Sequence, residues 1–393
     1  MPQRSVWIVS AVRTPIGSFG GSLKNHSAVD LATHSSQIAI ERSSVSAQDV
    51  DVTIFGQARQ AGSGPNPARQ TAIRSGIPES SPAYTVNQAC ASGLLAVRHG
   101  MDEILHHGAT TALVGGVESM STLPYYLTGA RWGYRLGSGE VVDANYKDGF
   151  FCPITNQLMG LTAETLAQDY QISREEQEAF AINTQSRAFQ AREEGFFEKE
   201  IAPVPLPKNG IFSSDETIRE RMNPESLSRL PTVFLPQEKG GTVTPATSSG
   251  ITDGAAALIL VGGTTPPAGA LGRLVDWSIA GVDPARMGLG PVPACRKLEK
   301  KTGWKTVDYD HVELNEAFAS QVIACQRELE IPPERINPRG GAIALGHPIG
   351  CTGARIVVTL VHALNQNGGG RGLATLCVSG GMGVSLAVET PFH

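Results

Sequence analysis

Cysteine is scarce: six residues in 393, at positions 90, 152, 295, 325, 351 and 377, with no C-x-x-C pair. That pattern argues against a zinc ribbon or a thioredoxin-like motif, and a disulfide framework is out of place in so long and thiol-poor a chain. Charge is sparse too. Asp, Glu, Lys and Arg make up 18%, and 32 basic against 37 acidic residues leave a balance of −5. So mild an acidity excludes a nucleic-acid or anionic-membrane surface as the main business of the protein. No apolar run approaches the roughly 20 residues of a membrane span, and Val6 to Val9 is too short for a signal-peptide core. The terminal TPFH carries neither an SKL nor a KDEL address. A reducing, cytoplasmic location is the expectation.

Glycine (44) and proline (25) are plentiful, and 41% of the chain is hydrophobic. This is a globular composition with many tight turns, long enough for two to four domains at about 100–200 residues each. Short apolar runs alternate with helical patterns, as in layered α/β proteins. Residues 6–12, 50–56, 111–117 and 374–382 read as strands, the last two running into glycines. Leu94, Val97, Met101, Ile104 and Leu105 recur at helical spacing, and 354–364 reads as a second helix. ACASGLLAV…TALVGG and GCTGARIVV…ATLCVSGG form a faint internal repeat of loop, helix and strand. Between Ser121 and Gly250 the texture changes to aromatics and charges, which reads as an insertion packed on the core. Within it, Ser173 and Glu176 have capping-box spacing at the head of an amphipathic helix that stops at Gly195, its charges forming a solvated face. LPKNG and LPQEKGG read as turns.

Four residues stand out chemically. Cys90, in NQACASGL, precedes a helix whose free N–H groups favour a thiolate, although a Cys among small residues is also a common core hydrophobe. His347 lies in GGAIALGHPIGCTGAR, where five glycines leave backbone N–H groups free to meet an anion or carbonyl. It fits either a general base or a turn histidine satisfied by a carbonyl. Cys377 ends a strand before Ser379 and a glycine turn able to aim amides at an oxyanion, or is a strand cysteine in the core. Asn315, in NEAF, either fixes a water through its neutral amide or caps a helix.

Taken in order, NQACASG, NEAF, GGAIALGHPIGCTGAR and CVSGGMG resemble the thiolase family. The likeness extends from AVRTPIGSFGG through GGVESMS, MGLTAE, GTVTPATSSGITDGAAA and DPARMGLGPVPA to GGMGVSLAVE, nearly the whole chain. It implies an α/β thiolase fold of two pseudo-twofold related βαβαβαββ halves, each with a five-stranded mixed sheet, in a five-layer αβαβα core. The N-terminal half would take 1–120 plus 251–270, the C-terminal half 271–393, and 121–250 would be a loop domain over the coenzyme A tunnel. By the same resemblance Cys90 is the acyl-accepting nucleophile, His347 its base and Cys377 the acid or base at the α-carbon. One oxyanion site combines His347 with a water on Asn315, and the other the backbone N–H groups of Cys90 and Ser379. Arg219, Ser226 and Ser249 match coenzyme A contacts, and Met159, Met287 and Phe318 line the acyl end. The implied activity is thiolytic cleavage of 3-ketoacyl-CoA or condensation of two acyl-CoAs. CoA and acyl-CoA are substrates, with no metal or covalently bound cofactor, and the protein is a homodimer at least, with a homotetramer expected.

Three departures qualify the likeness. Leu158 stands where short-chain members carry His beside the acyl pocket, Ala246-Thr247 replaces Gly-Asn, and Ser379 replaces a glycine whose turn must not require positive φ if its amide is to serve. The competing readings are a ketoacyl-synthase-like condensing enzyme, which lacks an equivalent of Cys377, and a non-catalytic thiolase-like acyl-CoA-binding protein, which has no reason to keep all four residues.

Overall fold

The computed structural model describes residues 4–207 and 210–390. Chain order begins with β1 (Ser5–Arg13), α1 (Ala28–Glu41), β2 (Val52–Gly56), α2 (Pro67–Arg74), β3 (Ala83–Val86), α3 (Ser92–His106) and β4 (Thr111–Ser119). An insertion follows that carries α4 (Met159–Asp169) and α5 (Arg174–Glu193). The chain then returns as β5 (Thr252–Gly263), β6 (Gly272–Gly281), α6 (Pro291–Thr302), β7 (His311–Leu314), α7 (Ala319–Leu329), α8 (Ile349–Gln366), β8 (Gly370–Val378) and β9 (Met382–Thr390).

These strands form one path, β3-β2-β4-β5-β1-β6-β9-β8-β7, with Gly17–Ser18 pairing off it beside β5. β2 runs parallel to β3 and β4, β7 runs parallel to β8, and the other pairings are antiparallel. Outward from the β1–β6 seam, β1-β5-β4-β2 mirrors β6-β9-β8-β7, so the internal repeat is a structural duplication. The halves join where Val6, Trp7 and Ile8 face Leu274, Arg273 and Gly272. The C-terminal half departs from the five-strand expectation: its counterpart of β3 shrinks to a single parallel bridge between Val312 and Ile336. Proline and glycine crowd 332–341, which leaves no continuous ladder there.

α3 and α8 fill the space between the two halves. One core joins Leu94, Val97, Met101 and Ile104 of α3 to Ile356, Val357, Leu360 and Val361 of α8 and to inner-facing residues of both sheets. α1 and α2 cover the outer face of the first half, and α6 and α7 that of the second. The result is five layers of alternating helix and sheet.

The insertion is anchored by charge. Arg13 at the end of β1 is fully buried, with Nε 2.6 Å from Glu200 and a fork of 2.7 and 2.9 Å to Asp215. Ser173 caps α5 by accepting from the Glu176 N–H, but Glu176 pairs with Arg327 and completes no box. α5 ends before Gly195, at φ 71°. Its polar residues are not all solvated as expected: Gln177, Glu178, Thr184 and Gln185 are buried. The turn expected at LPKNG falls partly outside the described residues, and LPQEKGG turns at Gly240 with φ 86°. Among the described residues no helix is long and apolar enough to cross a membrane.

Candidate active site

Two helix N-termini meet at the centre of the molecule because glycine lets their backbones touch. An ideal Cβ on Gly93 would lie 2.6 Å from the Ala354 nitrogen, and one on Gly353 would lie 2.3 Å from the Leu94 nitrogen. Any side chain there would hold α3 and α8 apart. A single N-cap residue separates Cys90 from α3 and His347 from α8, so this contact sets their relative placement.

The Cys90 loop is strained on its approach. Ala89 has φ +44° and donates its N–H to Asn87 Oδ1 at 2.9 Å. A non-glycine residue there costs on the order of 1–3 kcal/mol and is typical of functional loops. The half-buried Cys90 thiol is pushed up by burial. The Ser379 N–H and the charge of Arg59 act in the opposite direction. Ser379 is not at positive φ; Gly380 and Gly381, both at 88°, make the turn. The Ser379 substitution therefore leaves its amide available.

Cys377 is fully buried, and its thiol is pushed far above the ordinary range by burial and by the Cys90 sulfur. It packs in one cluster with Met287 and Ala317, against which Met159 and Phe318 lie. Phe318 meets Phe234 edge-on at 5.9 Å. Leu158 is half-buried at the N-cap of α4, next to Met159.

His347 is buried, with Nδ1 2.7 Å from Thr352 Oγ1. The Thr352 hydroxyl donates to the Pro348 carbonyl at 3.0 Å, so it accepts from His347 Nδ1–H. That fixes the tautomer and leaves Nε2, buried without a partner, as a proton acceptor. Burial, Arg355 and Arg59 push the imidazole down to about 3. Asn315 is fully buried, and both Oδ1 and Nδ2 lack hydrogen-bond partners. It is no helix cap, since the N-cap of α7 is Phe318. A buried amide with all its polar atoms free is suited to receiving a water or ligand.

The loop carrying Ser249 is laced to the same region. Ser249 N–H donates to the Ala317 carbonyl at 3.1 Å, Ala319 N–H to Thr247 at 2.9 Å and His347 N–H to Gly250 at 3.3 Å. Thr247, one of the departures, accepts the Thr244 N–H at 2.9 Å and stabilises this turn. Arg219 and Ser226 stand outside this cluster, exposed on the insertion. Arg219 is tied through its backbone N–H to Gln185 at 2.8 Å, and Ser226 Oγ donates to Asn223 at 2.8 Å.

Sequence reasoning assigned no role to two groups here. Glu118, fully buried, accepts from the backbone N–H groups of Gly350 (2.9 Å), Arg59 (3.1 Å) and Ala58 (3.2 Å), and burial pushes its carboxyl up to about 7. It thereby binds the head of α8 to the segment after β2. The other is Arg59 itself. GGVESMS contains Glu118 in plain view, but nothing local to that motif reveals a carboxylate bridging three segments.

Residues 6–263 match the family model for the thiolase N-terminal domain, and residues 268–390 that for the thiolase C-terminal domain. The chain is 45% identical over 393 residues to acetyl-CoA acetyltransferase of Escherichia coli (strain K12), covering 97% of this chain and 98% of that one. It is 41% identical to a probable acetyl-CoA acyltransferase of Staphylococcus aureus (strain COL), covering 98% of each. Among solved structures, the Bacillus anthracis acetyl-CoA acetyltransferase superposes with a TM-score of 0.95 at 41% identity, over 99% of both chains. Human mitochondrial 3-ketoacyl-CoA thiolase in complex with CoA superposes with a TM-score of 0.94 at 38% identity, over 99% of this chain and 98% of that one.

Proposed function

This chain belongs to the thiolase family and is an acyltransferase of that family; on that premise we propose that it joins two acetyl-CoA molecules, or cleaves short 3-ketoacyl-CoA with CoA, through an acyl group carried on Cys90. The observation that carries the reading is the placement of Cys377 among Met159, Met287, Ala317 and Phe318, in the field of Cys90. That cluster surrounds a second thiol with apolar side chains close to Cys90, which supports an acyl site there.

In the cleavage direction, Cys90 Sγ gives its proton to His347 Nε2 and attacks the keto carbon. The carbonyl oxygen becomes an oxyanion facing the N–H groups of Cys90 and Ser379. The carbon–carbon bond breaks and Cys377 protonates the departing acetyl-CoA carbanion. The Cys377 thiolate then takes the proton of the incoming CoA thiol, whose sulfur accepts the acyl group, and His347 returns its proton to the released Cys90 sulfur. Imidazolium at His347, with a water held by Asn315, stabilises the enolate oxygen. In condensation the steps run backward, with Cys377 thiolate removing the α-proton. Ser249 is assigned to the pantetheine arm, and Arg219 and Ser226, on the exposed insertion, to the nucleotide end, with 121–250 covering the tunnel.

The insertion also supports self-association. Trp132 and Leu136 are 88% and 97% exposed, an apolar display that suits a second copy of the chain and, by extension, a homotetramer. Six free cysteines support a reducing, cytoplasmic setting. A place in fatty-acid metabolism is consistent with either direction of the reaction.

The test is CoA-dependent cleavage of acetoacetyl-CoA beside a long-chain 3-ketoacyl-CoA at matched concentrations, with acyl transfer to the protein followed by mass. Acetoacetyl-CoA is expected to be cleaved faster, and Cys90→Ser to lose the acyl adduct. Faster long-chain cleavage overturns the chain-length assignment, and a fully acylated Cys90→Ser protein overturns the nucleophile.

A further inference from the structure

Arg59 is 2% exposed, and among the described residues no carboxylate lies within ion-pairing distance of its guanidinium. Nη1 donates to Asn145 Oδ1 at 3.0 Å and contacts Met120 Sδ at 2.7 Å, while Nε and Nη2 are buried without partners. The guanidinium carbon lies 4.4 Å from the centroid of the Phe150 ring, and its other contact is the Gly149 backbone, where no Cβ fits. Stacking and one neutral amide do not offset a buried cation, whose desolvation costs several kcal/mol. Such a charge calls for an anion nearby, permanent or transient.

The segment bearing Arg59 runs alongside both helix heads. Gln57 N–H donates to Val86 at 3.1 Å, and Asn87 Nδ2 donates to the Ala58 carbonyl at 2.9 Å, fastening it to the strand and loop that end in Cys90. Glu118 fastens it to Gly350 at the head of α8. We propose that Arg59 is a positioning residue for acyl transfer, whose fixed guanidinium charge, locked between Phe150 and Gly149 beside the Cys90 loop, favours negative charge on the Cys90 sulfur. This rests on the assignment of Cys90 as acyl acceptor.

The other charged and titratable groups facing the pair are consistent with that role. Glu118 opposes Arg59 at the thiol, but its carboxylate oxygens are taken up by three backbone N–H groups. His347 is neutral at physiological pH, and Cys377 is held as a thiol. Burial pushes the Arg59 guanidinium down from its ordinary value, and Glu118, Cys90 and, on the insertion side, Asp143 and Asp148 act against that. An arginine retains its charge throughout the working range, so this influence on Cys90 does not titrate away as that of a histidine would.

The test is the pH dependence of Cys90 alkylation by iodoacetamide, located by peptide mass spectrometry, in wild type, Arg59→Met, Arg59→Gln and Arg59→Lys. Loss of charge is expected to raise the midpoint by about one unit, slowing alkylation at neutral pH about tenfold. kcat/KM should fall with it, the KM for CoA should stay unchanged, and Arg59→Lys should recover most of the loss. Arg59→Gln keeps a neutral polar group in the same cavity, so that variant carries the test if Arg59→Met fails to fold. A folded Arg59→Gln protein with the wild-type midpoint overturns the proposal, as does a raised KM for CoA with an unmoved midpoint. Acylation surviving in Cys90→Ser removes the premise instead, whatever Arg59 does.

Discussion

Gly350→Ala isolates the contact that seats the head of α8 against β4 and the segment after β2. The added Cβ would stand 2.5 Å from the Val117 oxygen, 2.9 Å from the Ala58 nitrogen and 2.9 Å from Gln57 Cα. All three are backbone atoms, so no side chain can rotate away and α8 itself must shift. Overpacking of this kind costs about 1–3 kcal/mol. The shift also stretches the 2.9 Å bond from Gly350 N–H to Glu118, and hydrogen bonds to charged groups contribute about 1.5–3 kcal/mol. Against this, alanine gains at most about 1 kcal/mol of helix propensity, and less in a first turn. The clash wins, with a net loss of roughly 2–4 kcal/mol. Because His347 rides on the same helix head, a displacement approaching 1 Å lowers turnover about 10²-fold. Denaturant unfolding and kcat for thiolysis read the two effects. Gly250→Ala is the stability control, since its nearest neighbour within 4 Å is Thr252 Cγ2 at 3.7 Å. Wild-type stability and turnover in Gly350→Ala would refute the argument that glycine contact sets the site.

Asn315→Ala should separate activity from stability. Its amide has no protein partner to lose, so unfolding free energy should move by less than about 1 kcal/mol, while kcat falls by the 2.7–4 kcal/mol typical of a lost oxyanion donor, roughly 10²–10³-fold. A destabilisation above about 3 kcal/mol would instead make Asn315 structural. His347 sits far below its free value of 6.5, so the pH profile of kcat/KM should show no acid limb from an imidazole near neutrality. Unfolded protein binds a proton at this residue below 6.5 that folded protein refuses until about 3, so stability falls as pH drops through that window. The slope from this group is at most about 1.4 kcal/mol per pH unit, and His347→Asn should remove it. Arg355→Met removes one of the charges that hold the ring down, so in that variant the acid limb should move up toward neutrality. An acid limb near 6.5 already present in wild type would refute the reading.

Much of this architecture is legible in the chain because strand and helix signals are local. Short apolar runs bounded by glycine became β1, β4 and β8, and the 3.6-residue spacing after Cys90 became α3. NEAF illustrates where local reading fails. Its letters suit a helix start, but Asn315 N–H donates to the Thr375 carbonyl at 3.0 Å, which keeps it beside β8 and delays α7 to Ala319. The polar face of α5 misleads for a similar reason: Thr184 is buried because its hydroxyl donates to Glu316, 132 residues away. Arg59 is one more charged residue in a polar loop until folding lays Phe150 over it. Each of these is decided by a partner distant in sequence, and none leaves a periodicity to detect.

The charge states of the site have a consequence for its chemistry. Cys90 and Cys377 are pushed up, and His347 is pushed down, so the resting site holds two thiols and a neutral imidazole. Proton transfer from Cys90 to His347 is then uphill in the free protein. On the proposed mechanism it becomes favourable only when negative charge moves from sulfur to the substrate oxygen assigned to the Cys90 and Ser379 amides. Because oxidants and alkylating agents react with thiolate rather than thiol, the same burial that opposes ionisation protects both cysteines between turnovers. Arg59 and the Ser379 N–H act against burial at Cys90, whereas at Cys377, in a cluster of Met159, Met287, Ala317 and Phe318, the Cys90 sulfur adds to it. The two thiols are thus graded, and the one proposed to attack is the easier to ionise.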